Sequence, residues 1–379
     1  MMDYDVIIAG GSVSGLLCAR EIAQKGHSVL VLEEDYEIGT PEHCGGVVSI
    51  LGIEELGVIP TRGTLENKIG CAYIISPSGK SFTLDAKAQK VVVLDRRDFD
   101  KQIAHQAKNN GAEIRVRTSV KETDGNKVKT SEGDLTCKVI VDARGVSSLI
   151  KKDRDGVLQS AQYEVYADWI EKDRIKVYFD QEKYPGFFAW IIPTHSDIAK
   201  VGVAGKGINA AVELENFLLQ KGKYSVVRKI FSPIWIKGPI ENFVEGNTIT
   251  IGDAAGQSKP TTAGGIYSSG LGGIFAGRSI SKYLESGNKS DLLEYQKSWS
   301  EKFGLEFQNM LLARKLLERL DNKAIDKMFE SVTPQILEEI SKEGTFDFHT
   351  ASLAKLLGVK GSLKTVQAIL GSEFRRLLT

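Results

Sequence analysis

Cysteine is scarce in this chain: 379 residues contain four, Cys18, Cys44, Cys71 and Cys137. No two of them form a C-x-x-C pair, which argues against zinc ribbons and thioredoxin-type chemistry. They are also too scattered for a disulfide framework, so a reduced, cytoplasmic setting is expected. A charge surplus is missing too. Lys and Arg number 49 and Asp and Glu 49, and without a basic excess to release counterions from phosphates no nucleic-acid partner is expected. No apolar run reaches the roughly eighteen residues that cross a bilayer. The opening MMDYDVIIAGG lacks the basic and apolar blocks of an export signal. Neither internal repeats nor low-complexity linkers are visible. The chain is long enough for two or three packed units, and its partners should be small or apolar.

What is present is a pattern of buried strands and helices. Residues 4–9 (YDVIIA) read as a strand, 13–25 as a helix of small residues and 28–33 (SVLVLE) as a second strand, together a βαβ unit. Residues 103–109 are helical in pattern, GAEIRVRTSV adds a strand reaching Val120, and KVIVDARG adds another that ends in a glycine turn. From Gln162 four alternating segments (YEVYADWI, RIKVYFD, FFAWIIP, IAKVGVAG) predict an antiparallel sheet, which a hairpin at 76–80 should join. TITIGDAAG returns to a buried strand, and beyond Gly264 the pattern is helical, with amphipathic stretches at 292–320 and 353–370. The expected fold class is α/β with interleaved units. A Rossmann-like core takes residues 1–60, 90–157 and 245–290; an antiparallel-sheet substrate unit takes 61–89 and 158–244; helices take 291–379.

The turn between the first strand and helix is GGSVSG. In a dinucleotide fold the first glycine makes the turn, the second position lets backbone approach pyrophosphate, and the third lets helix pack on strand, with phosphate at the helix start. Gly10, Ser12 and Gly15 stand at these positions, and Glu33 ends the second strand eighteen residues after Gly15, where a carboxylate accepts from a ribose. Serine in the middle position weakens the fingerprint, and a glycine-rich turn beside a surface glutamate is the plain alternative. The combination of strand, helix, second strand and terminal Glu favours the nucleotide. In IGDAAGQSKPTTAGGI, Asp253 lies at a strand end eleven residues before the Gly264–Gly265 pair that opens a helix at Ile266. A carboxylate for ribitol or phosphate and a helix start for an anionic edge suit a ligand held at both ends, which a nicotinamide would not need.

These stretches resemble the FAD-dependent family that includes p-hydroxybenzoate hydroxylase, and within it the archaeal geranylgeranyl reductases. The resemblance runs in order along nearly the whole chain: GGSVSG, EIGTPEHCGG, Arg96 followed by Phe99 and Asp100, DARG, PGFFAWIIP, GDAAG with its later Pro and GGI, and a helical tail. It implies a p-hydroxybenzoate hydroxylase-like fold and FAD as cofactor. The implied contacts are Gly10, Ser12, Ser14, Gly15 and Glu33 at one end; Cys44, Gly45, Gly46, Arg96 and Val120 further along; and Asp253, Gly264, Gly265 and Ile266 at the other. The reductase signature PxxYxWxFP is matched at Pro185, Trp190 and Pro193, with Phe188 for its tyrosine and Ile192 for its phenylalanine. Phe188, Trp190 and Pro193 are therefore expected against an isoprenoid, whose site needs an apolar, aromatic lining; a plain core strand is the competing reading. Arg144 stands where hydroxylase relatives carry an aspartate, so Asp142 is read only as a strand-end residue.

The resemblance implies reduction of isolated alkenes in a polyprenyl lipid, with hydride from reduced FAD and a proton from the protein. No carbonyl polarises such a bond, so proton delivery carries much of the barrier. Cys44, in a polar glycine-rich loop, is the expected catalytic residue, and His43 is the second. The electron donor is expected to be ferredoxin or NAD(P)H, with possible peripheral membrane contact. The rival functions are a flavin monooxygenase or halogenase acting on a small aromatic, of whose WxWxIP motif Trp190, Ile192 and Pro193 survive, and a non-catalytic flavin or lipid binder.

Overall fold

A computed structural model describes residues 2–87, 90–150, 153–343 and 346–347; the stretch at 353–370 lies outside the described residues. The chain runs through β1 (Tyr4–Ala9), α1 (Val13–Gln24), β2 (Val29–Leu32), β3 (Val47–Ser49), α2 (Ile50–Glu55) and β4 (Leu65–Lys68). Next come β5 (Cys71–Ile75), β6 (Ser81–Asp85), β7 (Val91–Leu94), α3 (Arg96–Asn109), β8 (Glu113–Arg115), β9 (Val120–Asp124), β10 (Lys127–Thr130) and β11 (Gly133–Asp142). The middle contains α4 (Ser147–Ile150), β12 (Val157–Tyr166), β13 (Arg174–Tyr178), β14 (Ala189–Pro193), β15 (Ile198–Gly205), α5 (Ala210–Leu219), β16 (Ser225–Phe231) and β17 (Ile234–Trp235). The last part is β18 (Val244–Glu245), β19 (Thr248–Thr250), α6 (Ile266–Ser286), α7 (Ser290–Leu317), α8 (Asn322–Ser331) and α9 (Pro334–Glu343).

The first sheet has the order β18-β19-β11-β1-β2-β8, and its inner pairs are parallel. A parallel sheet is covered on both faces, which is why its strands are nearly unbroken apolar runs. Side chains alternate: Val6, Ile8, Val31 and Val141 join the core under α1, α6 and α7. Ile7, Leu30 and Ile140 face the other way, onto Val128 and Cys137 of the β9-β10-β11 meander. The second sheet, β16-β12-β15-β14-β13-β5-β6, is antiparallel except where β13 meets β5. A small sheet, β3-β7-β4, completes the set among the described residues.

Several element boundaries differ from the sequence reading, each for a local reason. The helix expected at 103–109 starts at Arg96, because the Asp95 carboxylate accepts from the Arg97 and Asp98 amides and caps it. The single strand expected in GAEIRVRTSV is divided into β8 and β9, since Arg117 adopts a left-handed φ of 56° between them. β19 ends at Thr250, and the chain then makes a 3-10 turn, Gly252–Ala255, which carries Asp253. The glycines of α6 admit α1: a Cβ on Gly273 would collide with the Ser14 carbonyl, and one on Gly277 would lie 2.8 Å from the Cys18 carbonyl. Behind them α7 presents Tyr295, Trp299, Phe303 and Phe307 at four-residue spacing, all buried, with Trp299 edge-on to Phe307 at 4.9 Å.

This close approach predicts a contrast between two glycines. Gly273→Ala should lose about 1–3 kcal/mol in urea unfolding, the usual cost of overpacking. Gly304→Ala in α7 meets only the Ser300 Cβ, at 3.9 Å, and should gain up to about 1 kcal/mol from helix propensity.

Candidate active site

The first glycine turn is built for a close backbone approach. Gly10 has φ of 114°, and a Cβ there would run into the Ala143 carbonyl; one on Gly15 would strike the Gly10 carbonyl. Ser12 is the N-cap of α1, yet its side chain caps nothing, so the first amides of α1 have no side-chain acceptor. Ser14 is buried in that first turn. Glu33 accepts from the Gly11 amide at 2.7 Å and from the Asp35 amide at 3.0 Å. Burial outweighs these bonds and raises its pKa. Val120 packs instead in the meander cluster with Tyr4 and Leu135. The nearer contact from that segment is the Thr118 amide, which donates to the Glu33 carbonyl at 2.8 Å.

Arg96 joins the ends of the site. Its guanidinium donates twice to Asp100, at 2.9 Å each, lies beside the Cys44 thiol, and its charge is felt by the Asp253 carboxylate. Burial opposes its charge, but Asp100 and Cys44 more than offset this and raise its pKa. Asp253 is raised by burial, with Arg96 opposing. A Cβ on Gly265 would be 3.1 Å from the Asp253 Oδ1, and Gly265 starts α6 without any side-chain cap. Before it the chain turns tightly: the Lys259 amide donates to the Gly264 carbonyl at 3.0 Å, and Ala263 takes a left-handed φ of 58°, a strain that such turns keep only when their surroundings impose it.

The Cys44 turn connects this region to the second sheet. Cys44 is half-buried, and its Sγ accepts from the Gly46 amide at 3.3 Å. Gly46, with φ of 78°, pairs through its carbonyl with the Leu94 amide at 2.9 Å. A Cβ on Gly45 would lie 2.7 Å from the Ile192 Cδ1. Gln162 of β12 reaches the Cys44 carbonyl with its amide nitrogen at 3.5 Å and accepts the Trp190 indole N–H at 3.1 Å. Trp190 is edge-on to Phe188 at 6.1 Å, Phe188 stacks on Phe187 at 4.1 Å, and Ala263 packs on the same group. Pro193 ends β14, where its carbonyl accepts from Asn67 at 2.8 Å. His43 is exposed in surface area yet crowded by chain; burial lowers its pKa, with Asp35 opposing. Asp142 pairs with Arg144 at 2.9 Å and accepts from Ser148 at 3.0 Å.

Sequence reasoning missed Glu42, Gln162, Lys200 and Lys259. A lysine inside the apolar run IAKVGVAG was the available signal for Lys200, whose side chain is fully buried against Glu42 and Glu66. Lys259 is also buried; it donates to the Phe346 carbonyl at 3.0 Å and lies 4.8 Å from that ring's centre.

Two helix starts without side-chain caps, a turn no Cβ enters and a carboxylate at the end of β2 fit the pyrophosphate and ribose of a dinucleotide, and the Asp253–Ile266 segment fits its second end. The comparisons agree. The FAD binding domain family matches residues 3–217. A digeranylgeranylglycerophospholipid reductase of Methanocaldococcus jannaschii is 32% identical over 87% of this chain and 90% of its own. Digeranylgeranylglycerophospholipid reductase 2 of Methanopyrus kandleri is 28% identical over 87% and 91%. In fold, the chain matches a geranylgeranyl bacteriochlorophyll reductase-like protein of Thermoplasma acidophilum with a TM-score of 0.83 over 97% and 98% of the two chains, at 22% identity. A flavin-dependent brominase follows at 0.69, with 19% identity over 98% and 99%. The protein is an FAD-dependent oxidoreductase of α/β, p-hydroxybenzoate hydroxylase-like fold. Within that class the chain belongs to the geranylgeranyl reductase family.

Lys259 gives a pH test. Burial lowers its pKa to about 8, so between that value and the ordinary lysine value the unfolded chain binds more protons than the folded one. Stability from this group therefore rises with pH across that window. Lys259→Met lacks this titration. The melting temperature of wild type should gain on that of Lys259→Met as pH rises from about 8 toward 10, and a constant difference would contradict the assignment.

Proposed function

We propose that this enzyme saturates isolated C=C bonds in the polyprenyl chains of lipids. The observation that carries the reading is the seam between the Cys44–Gly45 turn and the Gln162–Trp190–Ile192 wall, where a reactive loop meets aromatic and aliphatic surface. Aromatic contacts continue outward from Trp190 through Phe188 to Phe179 at 5.8 Å, Phe329 at 6.4 Å and Phe82 at 5.0 Å. All of these rings are only partly buried. A lining of this kind suits a long apolar chain better than a small polar aromatic.

Residues Gly10–Gly15, Glu33, Arg96, Asp253 and the start of α6 hold the cofactor in this reading. Reduced FAD, when bound, supplies the hydride. The protein must supply the proton, and the Cys44 thiol is the donor. The Arg96 guanidinium lies beside it. His43, with its lowered pKa, is neutral near pH 7 and passes a proton inward from solvent rather than storing one. Trp190 and Phe188 exclude water and orient the alkene. Electrons come from a separate donor, ferredoxin or NAD(P)H. The substrate comes from a membrane that the protein meets at its surface; among the described residues no helix is long and apolar enough to cross one.

Anaerobic incubation of the dithionite-reduced enzyme with a geranylgeranyl lipid should give saturated product, detected by mass. Cys44→Ala should retain FAD and lose roughly 10²-fold or more in rate, the usual worth of a positioned acid. Hydroxylation or halogenation that requires oxygen would overturn the reaction, and unimpaired turnover in both Cys44→Ala and Cys44→Ser would overturn the proton donor.

A further inference from the structure

Two residues before Cys44, Glu42 is gripped by cations from a different sheet. The Lys200 ammonium donates to Glu42 Oε1 at 2.7 Å, to Glu66 at 2.9 Å and to the Leu94 carbonyl at 3.4 Å; neither the Glu42 nor the Lys200 side chain has any exposure. The other oxygen of Glu42 accepts from Arg228 of β16 at 2.5 Å, and Arg228 also pairs with Glu164 at 3.0 Å. The Arg96 backbone amide adds a bond to Glu42 Oε1 at 3.1 Å. At the far end of the same turn, Leu94 pairs with Gly46. The turn is therefore fixed at residues 42 and 46, with Cys44 and Gly45 between. Lys200 is also the cross-strand partner of Ile192, the residue Gly45 rests on. One rung of the sheet thus supplies both the charge that holds the turn and the apolar surface it sits against. Apolar packing is non-directional, whereas a carboxylate bonded at both oxygens fixes distance and orientation.

We propose that Glu42, held by Lys200 and Arg228, is a positioning residue that sets the Cys44 thiol in the site. This rests on the reading of the Cys44 turn as part of the active site. The test uses the FAD-loaded full chain and follows iodoacetamide alkylation of each cysteine peptide by mass spectrometry. Cys71, half-buried on β5 and outside the clamp, is the internal control. In Arg228→Gln and in Glu42→Gln/Lys200→Met, which leaves neither partner of the pair charged, alkylation of Cys44 should rise roughly ten-fold while Cys71 keeps its rate. In the same variants kcat should fall with KM unchanged, and Arg228→Lys should restore the protection of Cys44. The proposal is overturned by a Cys44 rate within about two-fold of wild type, or by an equal rise at Cys71, which marks general loosening. Should the double variant fail to fold, Arg228→Gln decides alone. Wild type that reduces no prenyl lipid would overturn the proposed function, and the alkylation result would still stand by itself.

Discussion

A lysine ammonium sealed from water between two carboxylates holds the two halves of this enzyme in register. Burial by itself would drive Lys200 to lose its proton, but Glu42 and Glu66 reverse this and raise its pKa. Glu42, Glu66 and Glu164 outnumber Lys200 and Arg228, and burial raises the pKa of Glu66 even though Lys200 pulls it down. Such a cluster gives little net stability compared with an apolar one of the same volume, yet stripping one partner from it costs about 3–5 kcal/mol. It therefore acts as a gauge of position. The loop after β2 can meet β15 in one way only, because any other placement leaves a charge buried and alone.

A second constraint is the nearness of backbones around the cofactor region. Gly10 and Gly15 bring α1 against its own turn, and Gly273 and Gly277 bring α6 against α1. Helix propensity is sacrificed for this, at about 1 kcal/mol per glycine. In exchange two helix starts, α1 and α6, are left without side-chain caps, and Arg96 sits near both Cys44 and Asp253. That convergence puts a cation next to a thiol, beside the wall that carries Trp190.

Much of this was legible in the residues. The βαβ opening, the Gly10–Gly15 turn and Glu33 are local patterns, set by neighbours a few residues apart, and the structure places them together. The strands after Gln162 were equally local, because side-chain type is written into each strand, although β15 is buried on both faces rather than alternately. Gln162 and Lys200 were not legible as site residues. Lys200 is a single charged side chain in an apolar run and Gln162 one of several polar residues of β12, and the partner of each is more than a hundred residues away in sequence: Glu42 for Lys200, Cys44 for Gln162. Val120 lies close in sequence to the Thr118–Glu33 contact, while its own side chain packs in the meander cluster.

The sequence by itself determined the cofactor class, the order of the elements and the residue types able to do the chemistry, because short-range pattern and the chemistry of individual side chains are properties of the chain alone. Only the tertiary structure decided that Cys44 meets Gln162, that Gly45 rests on Ile192, and that Glu42 is bonded at both oxygens. Those are matters of how separate segments approach one another, and the cost of burying unpaired charge selects the approach that the folded chain adopts.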